Sequence, residues 1–398
     1  MWRTVKLDDV CKIINGGTPK SKVSEYWDGD VQWLTPKDMG KLKSRHVSET
    51  ERKISQEGLA NSSAKLIPKN AVILSCRAPI GHVAINRIPM SFNQGCKGLV
   101  PSADLLVEYL YYFLISSKQL LNDLGTGTTF KEISGKTLAT VDVPLPPLSE
   151  QQRIVAKLDA AFAEIDRAAE LVAAKTKQAA LLRQAAIDRL IENKAVASQP
   201  LRDAIEIKHG FAFRSEFFEQ TGELVLLTPG NFEEEGGYRD RGEKQKYYVG
   251  ECPDEFVMKG GELLVAMTEQ AKGLLGSSII VPEDGVYLHN QRLGKVQPKQ
   301  PLSLAWLFHY FNTSMVREEL HRTGTGLKVR HTSPAKIGDL EIKVPSIDEQ
   351  NRVAHILDNV IAEQKNLFAY YQAQTEEMSA LKSAILAQEL QPPQSEAA

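Results

Sequence analysis

The feature that most restricts what this chain can fold into is an internal duplication, which has to be found before any single element is placed. Pro146-Pro147-Leu148-Ser149-Glu150-Gln151-Gln152-Arg153-Ile154 returns as Pro345-Ser346-Ile347-Asp348-Glu349-Gln350-Asn351-Arg352-Val353, with Glu150 and Glu349 separated by 199 positions. Leu158-Asp159 and Leu357-Asp358 keep that register, as do Gly125-Thr126-Gly127 and Gly324-Thr325-Gly326, each followed by a basic residue at the matched positions Lys131 and Arg330. Further upstream, Asn93-Gln94 matches Asn290-Gln291 at an offset of 197, and Leu7 with Gly16 matches Leu201 with Gly210 at 194. A drifting offset is what loop insertions in two diverged copies produce.

Each copy therefore holds a globular part of roughly 145 residues, an ordinary single-domain size, and then a long helix. Ser149 and Asp348 are the expected N-caps, Glu150 and Glu349 place carboxylates beside the positive helix end, and the prolines upstream block backward extension. No Pro or Gly follows until Pro200 in the first copy and Pro392 in the second. Val155, Leu158, Phe162, Ile165, Ala169, Val172, Thr176, Ala179, Arg183, Ala186 and Leu190 alternate at spacings of three and four, a coiled-coil seam broken only by Thr176 and Arg183. The second helix offers Val353, Leu357, Val360, Gln364, Leu367, Tyr371, Gln374, Met378, Leu381 and Ile385. The alternative is that each helix packs separately on its own domain.

The polar stretch Asn193–Gln199 is too short to run back along a helix of about 60 Å at 1.5 Å per residue. The second domain is thus expected to start near the far end of the first helix. If the ends of a compact domain lie together, the second helix returns antiparallel and an approximate two-fold axis relates the copies. Ala71-Val72-Ile73-Leu74 and Glu262-Leu263-Leu264-Val265 are strand-like, while Leu105–Leu121 and Leu304–Leu320 are helix-like. The expected fold class is α+β: similar mixed domains at 1–145 and 200–344, long helices within 146–199 and 345–398, and a disordered tail over Gln391–Ala398.

Composition narrows the function. The apolar share of 42% and charged share of 25% describe an ordinary soluble protein, and a net charge of −2 argues against indiscriminate nucleic-acid binding, which rests on surplus Lys and Arg. Any DNA contact must use basic groups gathered locally. Cys11, Cys76, Cys96 and Cys252 are scattered without metal-ligand spacing, so neither a disulfide framework nor a zinc site is expected. The polar start Met1-Trp2-Arg3-Thr4 lacks a signal-peptide core, the longest apolar stretch, Leu105–Ile115, contains Glu108, and a cytoplasmic protein without membrane spans is expected.

Two similar heads on a spacer suit a ligand with two similar sites at fixed separation, and DNA offers these because equivalent groove faces recur every helical turn. The sequence resembles the specificity subunits of type I restriction-modification enzymes. The resemblance rests on Leu-x-Asp-Val at Leu7–Val10, Gly16-Gly17-Thr18-Pro19, Asn93-Gln94-Gly95, Gly125–Thr129, and the Glu-Gln-x-Arg helix entrance given twice. It implies two target-recognition domains, each reading one half of a bipartite asymmetric DNA site, with the helices setting the gap and docking methyltransferase subunits. It also implies that catalysis resides in partners: adenine methylation with S-adenosylmethionine in two modification subunits, and ATP- and Mg-dependent translocation and cleavage in the restriction subunit. Copy two departs from the pattern, with Gly210-Phe211-Ala212-Phe213 in place of Gly-Gly-Thr-Pro and Leu327-Lys328 in place of Thr128-Thr129.

The segments Gly125–Lys131 and Gly324–His331 are the leading contact candidates, because small residues let backbone N–H groups approach phosphates while Thr126, Thr128, Thr129, Lys131, Thr325, Lys328, Arg330 and His331 add donors. A solvated hairpin is the alternative. Gly17, Thr18, Lys20, Lys37, Arg77, Lys97, Phe211, Arg214, Lys272 and Arg292 complete the set of DNA-contact candidates. Glu150, Gln151, Arg153, Glu349, Gln350 and Arg352 are expected to dock partners by family resemblance, although caps and salt bridges explain their position equally. Gly135-Lys136-Thr137 would end a phosphate-binding loop only with a glycine where Phe130 stands. Glu341-Ile342-Lys343 reads better as a strand than as a nuclease triplet. The expected chain is thus non-catalytic, binding no cofactor or metal itself. The rivals are a coiled-coil scaffold for proteins and a self-contained methyltransferase or nuclease.

Overall fold

The computed structural model describes residues 2–77, 79–127, 131–192, 196–270 and 273–392. Of the tail expected from Gln391, residues 393–398 lie outside that set. The chain divides into two compact units, Met1–Val172 with Ala373–Ala398, and Ala173–Gln372.

In the first unit a five-stranded sheet runs in the order Cys11–Asn15, Cys96–Pro101, Val72–Cys76, Ile80–Asn86, His46–Val47, antiparallel except for the last pair. Its central strand is buried on both faces, because successive side chains point opposite ways. Val72, Leu74 and Cys76 pack with Leu110 and Phe113 of helix Val107–Ser116, and Ile73 packs with Leu34, Ile67 and Phe92. A smaller sheet orders Lys53–Ile54, Trp27–Leu34 and Ser91–Phe92. Strand Arg3–Lys6 pairs antiparallel with Asp142–Leu145, so the two ends of the domain are tied together.

The second unit repeats this plan. Its sheet runs Ile205–His209, Leu293–Pro298, Leu263–Ala266, Ser278–Ile280, all antiparallel. Leu263 and Val265 face the cluster with Trp306, Leu307 and Phe311, while Leu264 and Ala266 face the one with Phe232 and Met258. Gln199–Pro200 pairs with Glu341–Ile342, closing this domain as well, so that Glu341 and Ile342 form the closing strand and Lys343 follows it.

The two long helices span Leu148–Ile191 and Ile347–Glu389. Each starts ahead of the expected cap: the Ser346 hydroxyl accepts from Glu349 N at 3.4 Å, and Glu150 N and Gln151 N both donate to the Pro147 carbonyl. Ser149 and Asp348 therefore lie inside the first turn. Within the first unit Lys157 meets Glu389 at 2.6 Å and Lys382 pairs with Asp166, which sets the helices antiparallel there. Within the second unit Ile187 and Ile191 share a core with Val353 and Leu357. The seam is as expected apart from Leu381, which is exposed. Lys382 takes that place, its ammonium 5.1 Å over the Phe162 ring, before Leu386 and Leu390 resume the apolar stripe.

The helices expected over Leu105–Leu121 and Leu304–Leu320 are each broken in two, as Val107–Ser116 with Lys118–Leu124 and Leu304–Phe311 with Ser314–Thr323. In the second unit Asn312 turns its amide to Phe308 O and Ser278 Oγ, and Thr313 caps the following helix through Val316 N, so side-chain bonds outcompete the helical ladder. Gly135-Lys136-Thr137 opens a short helix capped by Ser134. Among the described residues no group of side chains could hold a metal ion, and no helix is long and apolar enough to cross a membrane.

Candidate nucleic-acid interface

Each domain presents two loop assemblies built from the repeated motifs. In the first assembly the Gly-Gly-Thr-Pro loop lies against Asn-Gln-Gly: Gly17 N donates to Phe92 O at 3.0 Å, Gly16 N to Cys96 O at 3.1 Å, and Asn93 Nδ2 to Thr18 Oγ1 at 3.0 Å, while Thr18 also pairs with Gln94. The glycines are steric requirements, since a Cβ on Gly16 would stand 2.1 Å from Asn93 O and one on Gly17 2.3 Å from Ala64 N. Copy two repeats the contact through Phe211 N to His289 O and Gln291 N to Phe211 O, both 2.9 Å. Gly17 is accordingly buried packing backbone rather than a contact residue, and Phe211 is packed between Phe213 and Phe256 with centroids 5.0 and 5.2 Å away.

The second assembly is a hairpin. Thr126 and Glu132 exchange backbone hydrogen bonds of 3.0 and 2.9 Å, and Thr325 and His331 do the same at 3.0 and 2.8 Å. Gly127 and Gly326 turn each hairpin at φ +126° and +104°, where a side chain would be strained. In both copies the hairpin adds to the end of a central strand, Glu132 beside Arg77 and Arg330-His331 beside Thr268-Glu269. Thr126, Lys131, Thr325, Lys328 and His331 are exposed on these hairpins. Thr128, Thr129 and Lys272 lie outside the described residues.

Other expected contacts divide by environment. Lys20, Lys37, Arg214 and Arg292 are exposed; Lys37 lies 3.9 Å from Glu51 and Arg214 3.8 Å from Glu216. Arg77 is half-exposed with its guanidinium 3.9 Å from Glu132. Lys97, expected among the DNA contacts, is 6% exposed, within the strand that pairs Asn15 and Leu74. Arg330 is directed inward, its Nη2 donating to His321 O at 2.5 Å and Gly324 O at 2.9 Å, so it braces the hairpin.

At the helix entrances the motif splits by helical phase. Glu150 with Arg153, and Glu349 with Arg352, form bidentate surface pairs one turn apart. Gln151 and Gln350 are fully buried, at 0% exposure. Gln151 accepts from Leu106 N at 2.7 Å and donates to Asp104 O and Pro146 O at 2.8 and 2.9 Å; Gln350 accepts from Ser303 N and donates to Pro345 O, both at 2.8 Å. Both glutamines fasten a helix to its own domain and offer nothing to a partner. Gln151→Ala is expected to destabilise the first unit by about 3 kcal/mol, since three buried partners lose bonds worth about 1 kcal/mol each. Arg153→Ala should leave a urea melt almost unchanged, and equal midpoints for the two variants would refute this division of roles.

Two constellations went unread in the sequence. Glu269, with its side chain 2% exposed, accepts backbone bonds from Gly273, Leu274 and Leu275 at 2.9–3.0 Å and holds His321 Nδ1 at 3.0 Å. Burial pushes this carboxyl up, but those donors outweigh it and keep it below the usual carboxylate range. Arg317 grips the same backbone through Leu275 O and Gly273 O, and burial pulls its guanidinium down to about 10. The second constellation is the repeated Leu-Asp pair. Asp159 binds Arg45 and Tyr112, and Asp358 binds His309 Nε2 at 2.9 Å, so each helix is latched to its domain by different partners at one shared position. Retention of Asp at both copies was the available signal.

A family model for the type I restriction modification DNA specificity domain matches residues 1–173 and 193–379. The chain is 34% identical over 204 residues to the type I restriction enzyme MjaIX specificity subunit of Methanocaldococcus jannaschii, which is 51% of this chain and 45% of that subunit's length. It is 24% identical over 380 residues to the EcoprrI specificity subunit of Escherichia coli, covering 88% of this chain and 86% of that one. In fold it is similar to a solved chain of a type I R-M system, with a TM-score of 0.75 at 19% identity over 98% of this chain and 97% of that one. The HsdS subunit of Thermoanaerobacter tengcongensis gives 0.55 at 18% identity over 98% and 96%. With its duplicated domains, paired helices and twice-built hairpins, the chain belongs to the type I restriction modification DNA specificity domain family.

Proposed function

We propose that this chain is the DNA sequence-recognition subunit of a type I restriction-modification complex, reading a bipartite asymmetric site and docking methyltransferase and restriction subunits. The observation that carries the reading is the second loop assembly: the same backbone closure in each domain, Thr126 with Glu132 and Thr325 with His331, on segments whose sequences differ, Gly125–Lys131 against Gly324–Arg330. One frame carrying two side-chain sets suits two non-identical half-sites, because phosphate contacts fix position while side chains at base edges specify sequence. Thr126, Lys131, Thr325, Lys328 and His331 are the hairpin residues assigned to DNA, with Lys20, Lys37, Arg77, Arg214 and Arg292 around them. Exposed Leu171, Leu181 and Leu182 on the first long helix suit docking of partner subunits. In this reading the chain is non-catalytic and cytoplasmic, and S-adenosylmethionine, ATP and Mg act in the partners.

Co-expression with the neighbouring methyltransferase subunit, followed by single-molecule mapping of adenine methylation, tests the reading. A split motif with an unspecified gap is expected, and exchanging residues 1–145 for those of a relative should change one half only. No methylation beyond background, with the partner folded and active alone on a permissive specificity subunit, would overturn it in favour of a protein-binding scaffold.

A further inference from the structure

The hairpin of the second domain carries at its tip a side chain that the solvent exposure of the rest of the chain does not explain. Leu327 is 105% exposed, the highest value among the described large apolar residues. A single exposed leucine is ordinarily unremarked surface, but this one sits on a hairpin closed and braced at its base by hydrogen bonds. Thr325 and His331 close the hairpin with two backbone bonds, Arg330 braces its base, and Lys336 Nζ donates to Thr323 O at 2.6 Å behind it. Gly326 fixes the turn, since a Cβ there would stand 2.0 Å from Val329 O.

Its surroundings select the ligand. From Gly324 to His331 the hairpin contains no carboxylate, and the exposed Lys328 stands next to Leu327 while Arg330 is turned inward. A projecting apolar group beside an exposed lysine, on a hairpin without carboxylates, suits a nucleic-acid groove: phosphates outside, base edges and thymine methyl groups within. We infer that Leu327 is an apolar base-contacting residue of the second domain, entering the groove beside Lys328 and packing on the hydrocarbon surface of the bases. The matched position in the first copy is Thr128, so the two half-sites are met by different chemistry at one place in the repeat. This inference rests on the DNA-reading function proposed above.

Because the side chain touches nothing in its own domain, substitution there leaves the fold intact. In the complex with the methyltransferase subunits, Leu327→Asn is expected to weaken binding to the cognate duplex about tenfold, the cost of one lost base contact, with methylation losing discrimination in one half-site only. Leu327→Met, still apolar, should restore binding. The slope of affinity against salt should not move for Leu327→Asn, since no charge is lost, whereas Lys328→Ala should flatten it. A wild-type complex that yields a split motif while Leu327→Asn binds and methylates like it would overturn the inference and leave the DNA-reading function standing. So would loss of assembly with the methyltransferase subunits, seen by size exclusion, which would make Leu327 a protein contact. Failure of the wild-type complex to give any split motif would remove both.

Discussion

Glu269→Ala is expected to destabilise the second unit by about 4 kcal/mol. The carboxylate is the shared acceptor for three consecutive backbone N–H groups, from Gly273 to Leu275, and for His321. Bonds to a charged acceptor contribute about 1.5 kcal/mol or more each, and a buried donor left without a partner costs its desolvation besides. Arg317, which holds the carbonyls of the same stretch, would be left buried with Glu234 alone of the two nearby carboxylates that support its ionised form. Glu269→Gln keeps the shape and one acceptor oxygen, so it should recover roughly half of the loss. Chemical denaturation of the three proteins measures this order, and an alanine variant within about 1 kcal/mol of wild type would show that the clamp is not structural.

Acid should act on the same unit through His289. The imidazole is 2% exposed, donates from Nε2 to Leu293 O at 2.9 Å, and is pushed by burial down to about 4. An unfolded histidine titrates near about 6.5, so between these values the unfolded chain binds more protons than the folded one. Stability from this group is therefore fully present above about pH 6.5 and is lost as the pH falls toward 4, about 3 kcal/mol in all and about 2 kcal/mol by pH 5. His309, also depressed by burial although Asp358 opposes the shift, adds in the same direction. Amide exchange in strand Leu263–Ala266 at pH 7 and pH 5, corrected for intrinsic rates, reads the change. His289→Gln should flatten the dependence, and an unaltered slope in that variant would assign the effect elsewhere.

The large-scale plan was legible because it is periodic. The repeated helix entrance, the 3-4 seam from Val155 to Leu190 and the absence of Pro and Gly are local statistics, and the helices follow them. The closure of each domain was inferred only from general compactness, and the pairing of Arg3 with Leu145 gives it a mechanism. Side-chain roles were less legible, because they depend on phase and on partners distant in sequence. Gln151 and Glu150 are neighbours in one motif, yet a rotation of about 100° per residue buries one and exposes the other. Glu269 and Arg317 are 48 positions apart, and in the register of the repeat the first copy has Lys118 where the second has Arg317. Lys97 looks like a surface cation by residue type alone; the strand around it buries it.

The division of the chain into Met1–Val172 with Ala373–Ala398, and Ala173–Gln372, has a consequence for synthesis. The second unit is one unbroken stretch and can complete its core as soon as that stretch has left the ribosome. The first cannot, although its domain is made earliest. Leu386 and Leu390 belong to its core, and Glu389 pairs with Lys157, so it waits for the last helix with one apolar stripe uncovered. Chains truncated after Gln372 and released from the ribosome should thus hold a finished second unit and an unfinished first one.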